Sequence, residues 1–298
     1  MDKIHIPVLL NESIDSLAIK EDGFYIDGTL GDGGHSFEIL KRLSPQGFLI
    51  SIDQDQHAID FVKEYYKESI PENWIIVKSN FSKIDKVVKE FGKNRQPDGI
   101  LLDIGLSSRQ LEESHNRGFS YQEENEPLDM RMDKELGVTA KDLLSALSEK
   151  ELARIFWTYG EERYSQRIAK EIKKDIFNIN TVGDLTRLIY KAVPAADNSI
   201  TKNPSRRVFQ ALRIVVNDEL GSLEQVLDKS FEILNKNGRL SVITFHSLED
   251  RIVKNFNLEK SRSGEGCLLF SKYIAPTDEE RISNPRSASA KLRTLIKN

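Results

Sequence analysis

The chain has 298 residues, 39% of them hydrophobic and 30% charged, with a formal net charge of -4 at pH 7. That length can bury a sizeable core as one large or two ordinary domains. The mild acidity means that the overall field does not attract nucleic acid, so such a partner must be held by local basic patches.

Cys267 is the single cysteine and makes no intramolecular disulfide. With five scattered histidines there is no zinc-ligand spacing, and no metal is expected. Met1 to Pro7 hold no apolar signal core, and no run approaches the length of a membrane span. A soluble, cytoplasmic protein without a membrane partner is the default expectation.

In chain order, Val8, Leu9, Leu10, Ile14 and Leu17 have the spacing of a short amphipathic packing helix. A first strand, Phe24 to Asp27, runs into the glycine-rich stretch Asp27-Gly28-Thr29-Leu30-Gly31-Asp32-Gly33-Gly34-His35, and a helix follows to about Leu43. Strand, glycine turn and helix in that order make a small-ligand cradle, because glycine backbone approaches a ligand closely and the helix start offers unpaired N–H groups.

A second strand, Gly47 to Asp53, ends in Asp53-Gln54-Asp55. A third, Trp74 to Val77, precedes Asn80-Phe81, and a fourth, Gly99 to Asp103, also ends in an acid. Helical patterns separate them. Continuous apolar strands alternating with helices predict an α/β fold with a doubly wound, mostly parallel sheet.

The pattern changes after Gly105. From 106 to 205 no comparable strand is found, and helices have legible starts at Ser148 with Glu151 and at Thr181 with Asp184. This predicts a helical insertion over 106–205 inside a discontinuous domain formed by 1–105 and 206–298. A long helical region, about Val208 to Leu234, leads to a fifth strand, Arg239 to Phe245, and a helix from Leu248 to about Phe256. Two last strand candidates, Cys267 to Tyr273 and Lys291 to Ile296, flank the polar segment Pro276 to Arg286.

Ligand chemistry belongs at the carboxyl ends of the strands, where the glycine turn, Asp53, Asn80-Phe81 and Asp103 all fall. Asp53 stands about 20 residues past the glycines, where an acid accepts hydrogen bonds from ribose hydroxyls. Gly28 to Gly33 has P-loop spacing, but Gly34-His35 replaces the Lys-Ser or Lys-Thr that holds phosphate, so a kinase or ATPase is disfavoured.

For a dinucleotide, Ser36 stands at the third glycine position and Asp32 places negative charge beside the pyrophosphate. A phosphate-free adenosine ligand fits better. S-adenosylmethionine, whose sulfonium is positive, suits an acidic surround. A dehydrogenase is the alternative enzyme and a non-catalytic subunit-assembly factor the alternative binding protein.

His246-Ser247 with Glu249 and Asp250 offers hydrolase residue types, but adjacent side chains do not form a nucleophile–base relay and no serine elbow is present. These residues read as a helix cap, either one that also lines the acceptor side of the site or a cap alone.

Seven blocks carry a resemblance: His5 to Leu10, Asp27 to His35, Asp98 to Leu111, Arg117 to Ser120, Pro127 to Asp133, Phe209 to Ile214 and Phe245 to Arg251. They look like those of the ribosomal RNA small subunit methyltransferase H family, and they run nearly end to end. The resemblance implies a class I (Rossmann-like) methyltransferase fold with a helical insertion for substrate recognition. It further implies S-adenosylmethionine as methyl donor and the exocyclic N4 of a cytidine in the decoding centre of 16S rRNA as acceptor, within the 30S ribosomal subunit. It leaves a homo-oligomer open.

The cofactor positions it implies are Gly33, Gly34, His35, Asp53 for the ribose, Phe81 beside the adenine, Asp103 and Gln110, all present here. Three departures bear on RNA contact: Glu124-Asn125-Glu126 before Pro127, Pro204-Ser205-Arg206-Arg207-Val208 before Phe209, and Ala288 where a second arginine is usual.

The chemistry also constrains the site. The cytosine amine is a weak nucleophile and the sulfonium methyl a strong electrophile, so alignment and electrostatics are the enzyme's work. Asp103 is the expected catalytic acceptor near the amine. Amino-methyltransferases acting on DNA place an aromatic just after this position, whereas Asp103 leads into Ile104-Gly105-Leu106. The stacking aromatic is therefore sought among Phe119, Tyr121 and Phe245. For RNA phosphates, the stretch Lys202, Arg206, Arg207 and Arg213 and the stretch Arg281, Arg286, Lys291, Arg293 and Lys297 supply positive charge.

Overall fold

The structure is a computed structural model that describes residues 6–112, 116–194 and 203–298. The chain forms two compact units, one made of the residues up to Gly105 together with Leu220–Asn298, the other of Leu106–Glu219. The first begins with α1 (Leu10–Leu17), β1 (Phe24–Asp27), α2 (Gly34–Leu40), β2 (Phe48–Asp53), α3 (Gln56–Tyr66), β3 (Trp74–Lys78), α4 (Ile84–Phe91) and β4 (Gly99–Asp103).

The second unit is helical: α5 (Ser108–Glu112), α6 (Ala140–Ala146), α7 (Glu149–Gly160), α8 (Ser165–Lys174), α9 (Val182–Ala192) and α10 (Pro204–Asn217). Reciprocal capping boxes start three of these helices, Thr139 with Asp142, Ser148 with Glu151 and Thr181 with Asp184. Each cap satisfies two otherwise orphaned N–H donors and stabilises by about 1 kcal/mol. Leu152, Phe156, Ile168, Ile172, Leu185 and Leu212 share one buried cluster in this unit.

The unit extends to Glu219 rather than to the predicted boundary at 205. α10 belongs here because it packs on α7 at backbone distance. A Cβ on Gly160 would lie 2.6 Å from the Arg207 carbonyl oxygen, and Gln210 Nε2 donates to the Tyr159 carbonyl (3.1 Å).

The chain then returns to the first unit through α11 (Glu219–Ile233), β5 (Arg239–Thr244), α12 (Ser247–Arg262), β6 (Gly266–Leu268), α13 (Asp278–Ser283) and β7 (Lys291–Lys297). The helical region predicted as continuous over 208–234 is thus two helices. Asp218 adopts a left-handed conformation (φ 47) and breaks it, a conformation that Asp tolerates better than most residues.

Among the described residues seven strands make one sheet in the order β3-β2-β1-β4-β5-β7-β6. β1 to β5 are parallel, with Ile26 opposite Ile50 and Ile100, and Leu102 opposite Val242. β7 runs antiparallel to both β5 and β6. The predicted strand from Cys267 to Tyr273 shortens to β6, and the polar segment after it holds α13.

Successive strand residues feed opposite faces. Ile26, Ile50, Ile100 and Leu102 pack with residues of α4, α11 and α12, whereas Tyr25, Leu49 and Leu101 pack with α1, α2 and α3. This is the doubly wound arrangement that the apolar strand runs predicted. Among the described residues no helix is long and apolar enough to cross a membrane.

Candidate active site

Strand order reverses between β1 and β4, and in open α/β sheets the crevice at that switch point receives ligand. Asp27 and Asp103 are the last residues of these two strands. The glycine turn leaves β1 still bonded to both neighbours, Gly28 N donating to Leu101 O and Leu30 N to Ile52 O, each at 2.9 Å. It then bends at Gly33 (φ 81), where any side chain is strained.

A Cβ on Gly34 would lie 2.3 Å from Pro7 Cγ, so the N-terminal segment lies against the turn. Val8 O pairs with His35 Nε2 (3.2 Å), Leu9 N donates to Glu280 Oε1 (2.8 Å), and Asn284 Nδ2 donates to Ile6 O (3.1 Å). Residues near both chain ends therefore brace the cradle. Gly34→Ala is expected to displace Pro7 and with it the carbonyl that orients His35. Calorimetric titration with S-adenosylmethionine should show affinity lowered about tenfold, roughly 1.4 kcal/mol.

Asp27 is completely buried and organises the turn, accepting from Ser36 Oγ (2.6 Å) and Thr29 N (3.1 Å). Ser36 Oγ also contacts Ser51 Oγ (2.7 Å), which in turn accepts from Trp74 Nε1 (2.8 Å). Burial pushes the Asp27 carboxyl up to about 7, against the lowering effect of these bonds. Thr29 Oγ1 accepts from Asp103 N (2.7 Å), which ties the turn to β4.

Asp53 accepts backbone N–H groups from Gly31 at Oδ2 (2.9 Å) and from Asp55 at Oδ1 (2.8 Å), and the Gln54 backbone also bonds to it. The carboxylate keeps acceptor capacity for a ribose hydroxyl. Burial raises this carboxyl to about 6.

Phe81 opens a single 3-10 turn, held by Asn80, whose Oδ1 accepts from Ser82 N (2.9 Å). Its ring packs on the core cluster of β1, β2 and β4 and is only partly buried, so it is neither a core aromatic nor a freely exposed one.

Asp103 and His35 form the chemically distinctive pair. His35 is buried, and burial lowers its imidazole to about 4, so the ring is neutral at pH 7. The Val8 carbonyl accepts only, which places the proton on Nε2 and leaves Nδ1 as a bare acceptor. Nδ1 stands 3.7 Å from Asp103 Oδ2. Asp103 Oδ1 is buried without a hydrogen-bond partner among the described residues. Burial raises the Asp103 carboxyl well above its ordinary value, and the nearby Asp27 and Glu249 raise it further.

Two acceptors facing each other, one with an orphaned oxygen, suit a cation or an N–H donor between them. The donor set therefore fits S-adenosylmethionine, a phosphate-free cationic adenosine. Gly105 follows at φ 119, and a Cβ there would meet only the Phe245 ring, at 3.6 Å.

His246 and Glu249 cap α12, with Glu249 N bonded to His246 Nδ1 (3.4 Å) and Glu249 Oε2 accepting from Phe245 N (2.8 Å). His246 Nε2 comes within 2.9 Å of Glu249 Oε1 without the alignment of a hydrogen bond. The capping reading of this motif thus holds.

The structure brings Gly33, Gly34, His35, Asp53, Phe81 and Asp103 into the first unit. Gln110 belongs to the second, where its Oε1 accepts from Ser107 N (3.0 Å). Of the stacking candidates, Phe119 is buried in the helical core beneath the Arg117 guanidinium, and Tyr121 packs edge-on against Phe209. Phe245, at the end of β5, is partly exposed in the first unit.

Most of the expected RNA-contacting cations have partners inside the protein. Arg213 makes a two-pronged pair with Glu219 (2.7 and 2.8 Å), and Arg207 pairs with the buried Glu162 (3.2 Å). Arg293 and Lys291 both bind Asp250, and Lys297 donates to the Glu232 and Leu234 carbonyls. Arg206 is exposed on α10 and Arg286 half-buried, while Lys202 lies outside the described residues. A list of charges in sequence does not show that Glu162, Glu219 and Asp250 fold against them.

Sequence reasoning placed Asp27 and Thr29 in the cradle without a role of their own, and it missed Pro7, Val8 and Ser36 as builders of the site. The signal for Pro7 and Val8 was membership of the block His5 to Leu10, whereas Ser36 lies one residue past the block Asp27 to His35.

The family model described as the MraW methylase family matches residues 2–298. The chain is 48% identical to the ribosomal RNA small subunit methyltransferase H of Clostridium botulinum (strain Loch Maree / Type A3) and 45% identical to that of Heliobacterium mobile, each alignment covering 100% of both chains. A solved structure of a Clostridium thermocellum protein described as an rRNA-methylase superposes with a TM-score of 0.51 at 12% identity, covering 99% of this chain and 100% of that one. At that identity the likeness supports the fold alone.

Proposed function

This chain belongs to the MraW methylase family, and from that membership and the acidic crevice we propose that it transfers a methyl group from S-adenosylmethionine to the exocyclic N4 of a cytidine in 16S rRNA. The proposed acceptor is a nucleotide of the decoding centre, presented by the 30S subunit. The relatives named above support the rRNA substrate. The observation that carries the chemistry is the electron-rich pair, His35 Nδ1 facing Asp103 with its unpartnered Oδ1.

When bound, S-adenosylmethionine supplies an electrophilic methyl group on a cationic sulfur. The chain's residues do the rest. Gly33 and Gly34 let backbone approach the nucleoside, Asp53 accepts from a ribose hydroxyl, and Phe81 offers a flat apolar surface to the adenine. Asp103 Oδ1 accepts an N–H of the cytosine amine, aligns its nitrogen lone pair and stabilises the positive charge that develops there. His35, held neutral, adds no competing positive charge. Phe245 is the aromatic on this unit for the extruded base. The second unit serves as the substrate-recognition domain, with Arg206 as its contact to phosphate, and Arg286 is a phosphate contact on the first unit.

Incorporation of labelled methyl from S-adenosylmethionine into unmodified 30S particles, with naked 16S rRNA in parallel, tests this reading. Transfer to either is expected, and no transfer to both would overturn it.

A pH dependence follows from the raised carboxyls. A bound sulfonium favours their ionised forms, so donor affinity rises with pH while they lose their protons and levels off above their raised values. S-adenosylhomocysteine, with a neutral sulfur, lacks that dependence. The ratio of the two affinities should therefore rise about tenfold from pH 5 to 8, the window spanned by Asp53 at about 6 and Asp27 at about 7. Parallel titrations of both ligands measure it, and a flat ratio would remove the carboxylates from sulfonium recognition.

A further inference from the structure

We propose that the outward face of α8 is a phosphate-contacting surface for the RNA substrate, formed by Arg167, Lys170 and Lys174. This rests on the RNA substrate proposed above.

α8 buries Ser165, Ile168, Ala169 and Ile172 along one side. Arg167, Lys170 and Lys174 follow at spacings of three and four residues and are all exposed, opposite that buried side. At 1.5 Å rise per residue they stand about 4.5 to 6 Å apart along the axis, a row that tracks a phosphodiester backbone.

Other groups sort themselves around the row. Lys173, on the flank, is consumed by the Leu144 and Ser145 carbonyls (3.0 and 2.9 Å). Glu171, the acid within the helix, pairs with Lys191 of α9 at 3.0 Å and approaches Lys174 only at 3.9 Å. The Arg167 guanidinium lies 5.9 Å from the Tyr164 ring centre, and cation–π contact holds such a group in place without neutralising it. Phe177, three residues past Lys174, is 95% exposed. A cationic row ending in an exposed aromatic is the combination that binds unpaired RNA, where bases stack on the ring while phosphates follow the charges.

The test is binding of labelled naked 16S rRNA to the full chain across a range of salt. The variants are Arg167→Glu/Lys170→Glu/Lys174→Glu, the same three residues changed to Gln, and a control of equal charge change on the first unit, Lys63→Glu/Lys86→Glu/Lys89→Glu. Both α8 variants should bind at least tenfold more weakly, with a salt slope shallower by about 2, as expected for three lost phosphate contacts at about 0.7 each. The control should keep its slope. Phe177→Ala should weaken binding several-fold without changing the slope, because it removes stacking and no charge.

Unchanged affinity of the α8 variants, or an equal loss in the control, would overturn the surface. So would a loss seen with 30S particles but not with naked RNA, which would assign α8 to a protein partner. Because the readout is binding, a chain that binds RNA through α8 yet transfers no methyl would refute the proposed function and leave this surface standing.

Discussion

Asp103→Ala should lower the rate of methyl transfer by roughly 10²- to 10³-fold, about 2.7 to 4 kcal/mol of barrier, the usual cost of removing one preorganised group from a developing charge. The fold should not suffer. Asp103 is bound to the sheet and to Thr29 through its backbone, while its side chain carries an unpartnered buried oxygen and a carboxyl raised by burial. Removing such a group relieves a desolvated charge, so the variant should melt no lower than the parent.

The loss should fall mainly on kcat, because the charge that Asp103 stabilises arises as the amine attacks. Asp103→Asn keeps an acceptor oxygen without the charge and should be intermediate. The rate of the parent should also fall on acidification as Asp103 takes up a proton, and that dependence should flatten in the alanine variant. Parental rate with normal donor affinity in Asp103→Ala would end its catalytic assignment.

Arg213→Ala should destabilise the protein by about 3 kcal/mol, the cost of leaving one partner of a buried pair behind. The side chains of Arg213 and Glu219 are only 16% and 7% exposed, and two parallel bonds join them across the break between α10 and α11. Arg206→Ala, one helical stretch earlier and exposed, should change stability by less than about 0.5 kcal/mol. Thermal unfolding of the two variants separates a structural arginine from a surface one. Equal melting temperatures would return Arg213 to the candidate RNA contacts.

The sheet was legible because the parallel strands β1, β2, β4 and β5, buried on both faces, leave continuous apolar runs, and because each strand end carries its chemistry in the next one or two residues. Asp53 and Asp103 could be placed at the site from that rule alone. The helix starts at Ser148 and Thr181 were legible because a capping box is local. What needed the folded chain was long-range. The bond from His35 to Val8, the seat of Pro7 on Gly34 and the brace from Glu280 join segments separated by up to 271 residues. The partners of Arg207, Arg213 and Arg293 are likewise set by packing, so a basic stretch in sequence and a basic surface in space are different things here. Asp218 broke a helix that periodicity alone had run through.

The most direct test of the account is nucleoside analysis by mass spectrometry of 16S rRNA from unmodified 30S particles incubated with the protein and labelled S-adenosylmethionine. The account predicts label in N4-methylcytidine, at one nucleotide of the decoding centre and appearing about a hundredfold or more slowly with Asp103→Ala. Label in a ring-carbon or ribose methyl, or no labelled nucleoside at all, would contradict it.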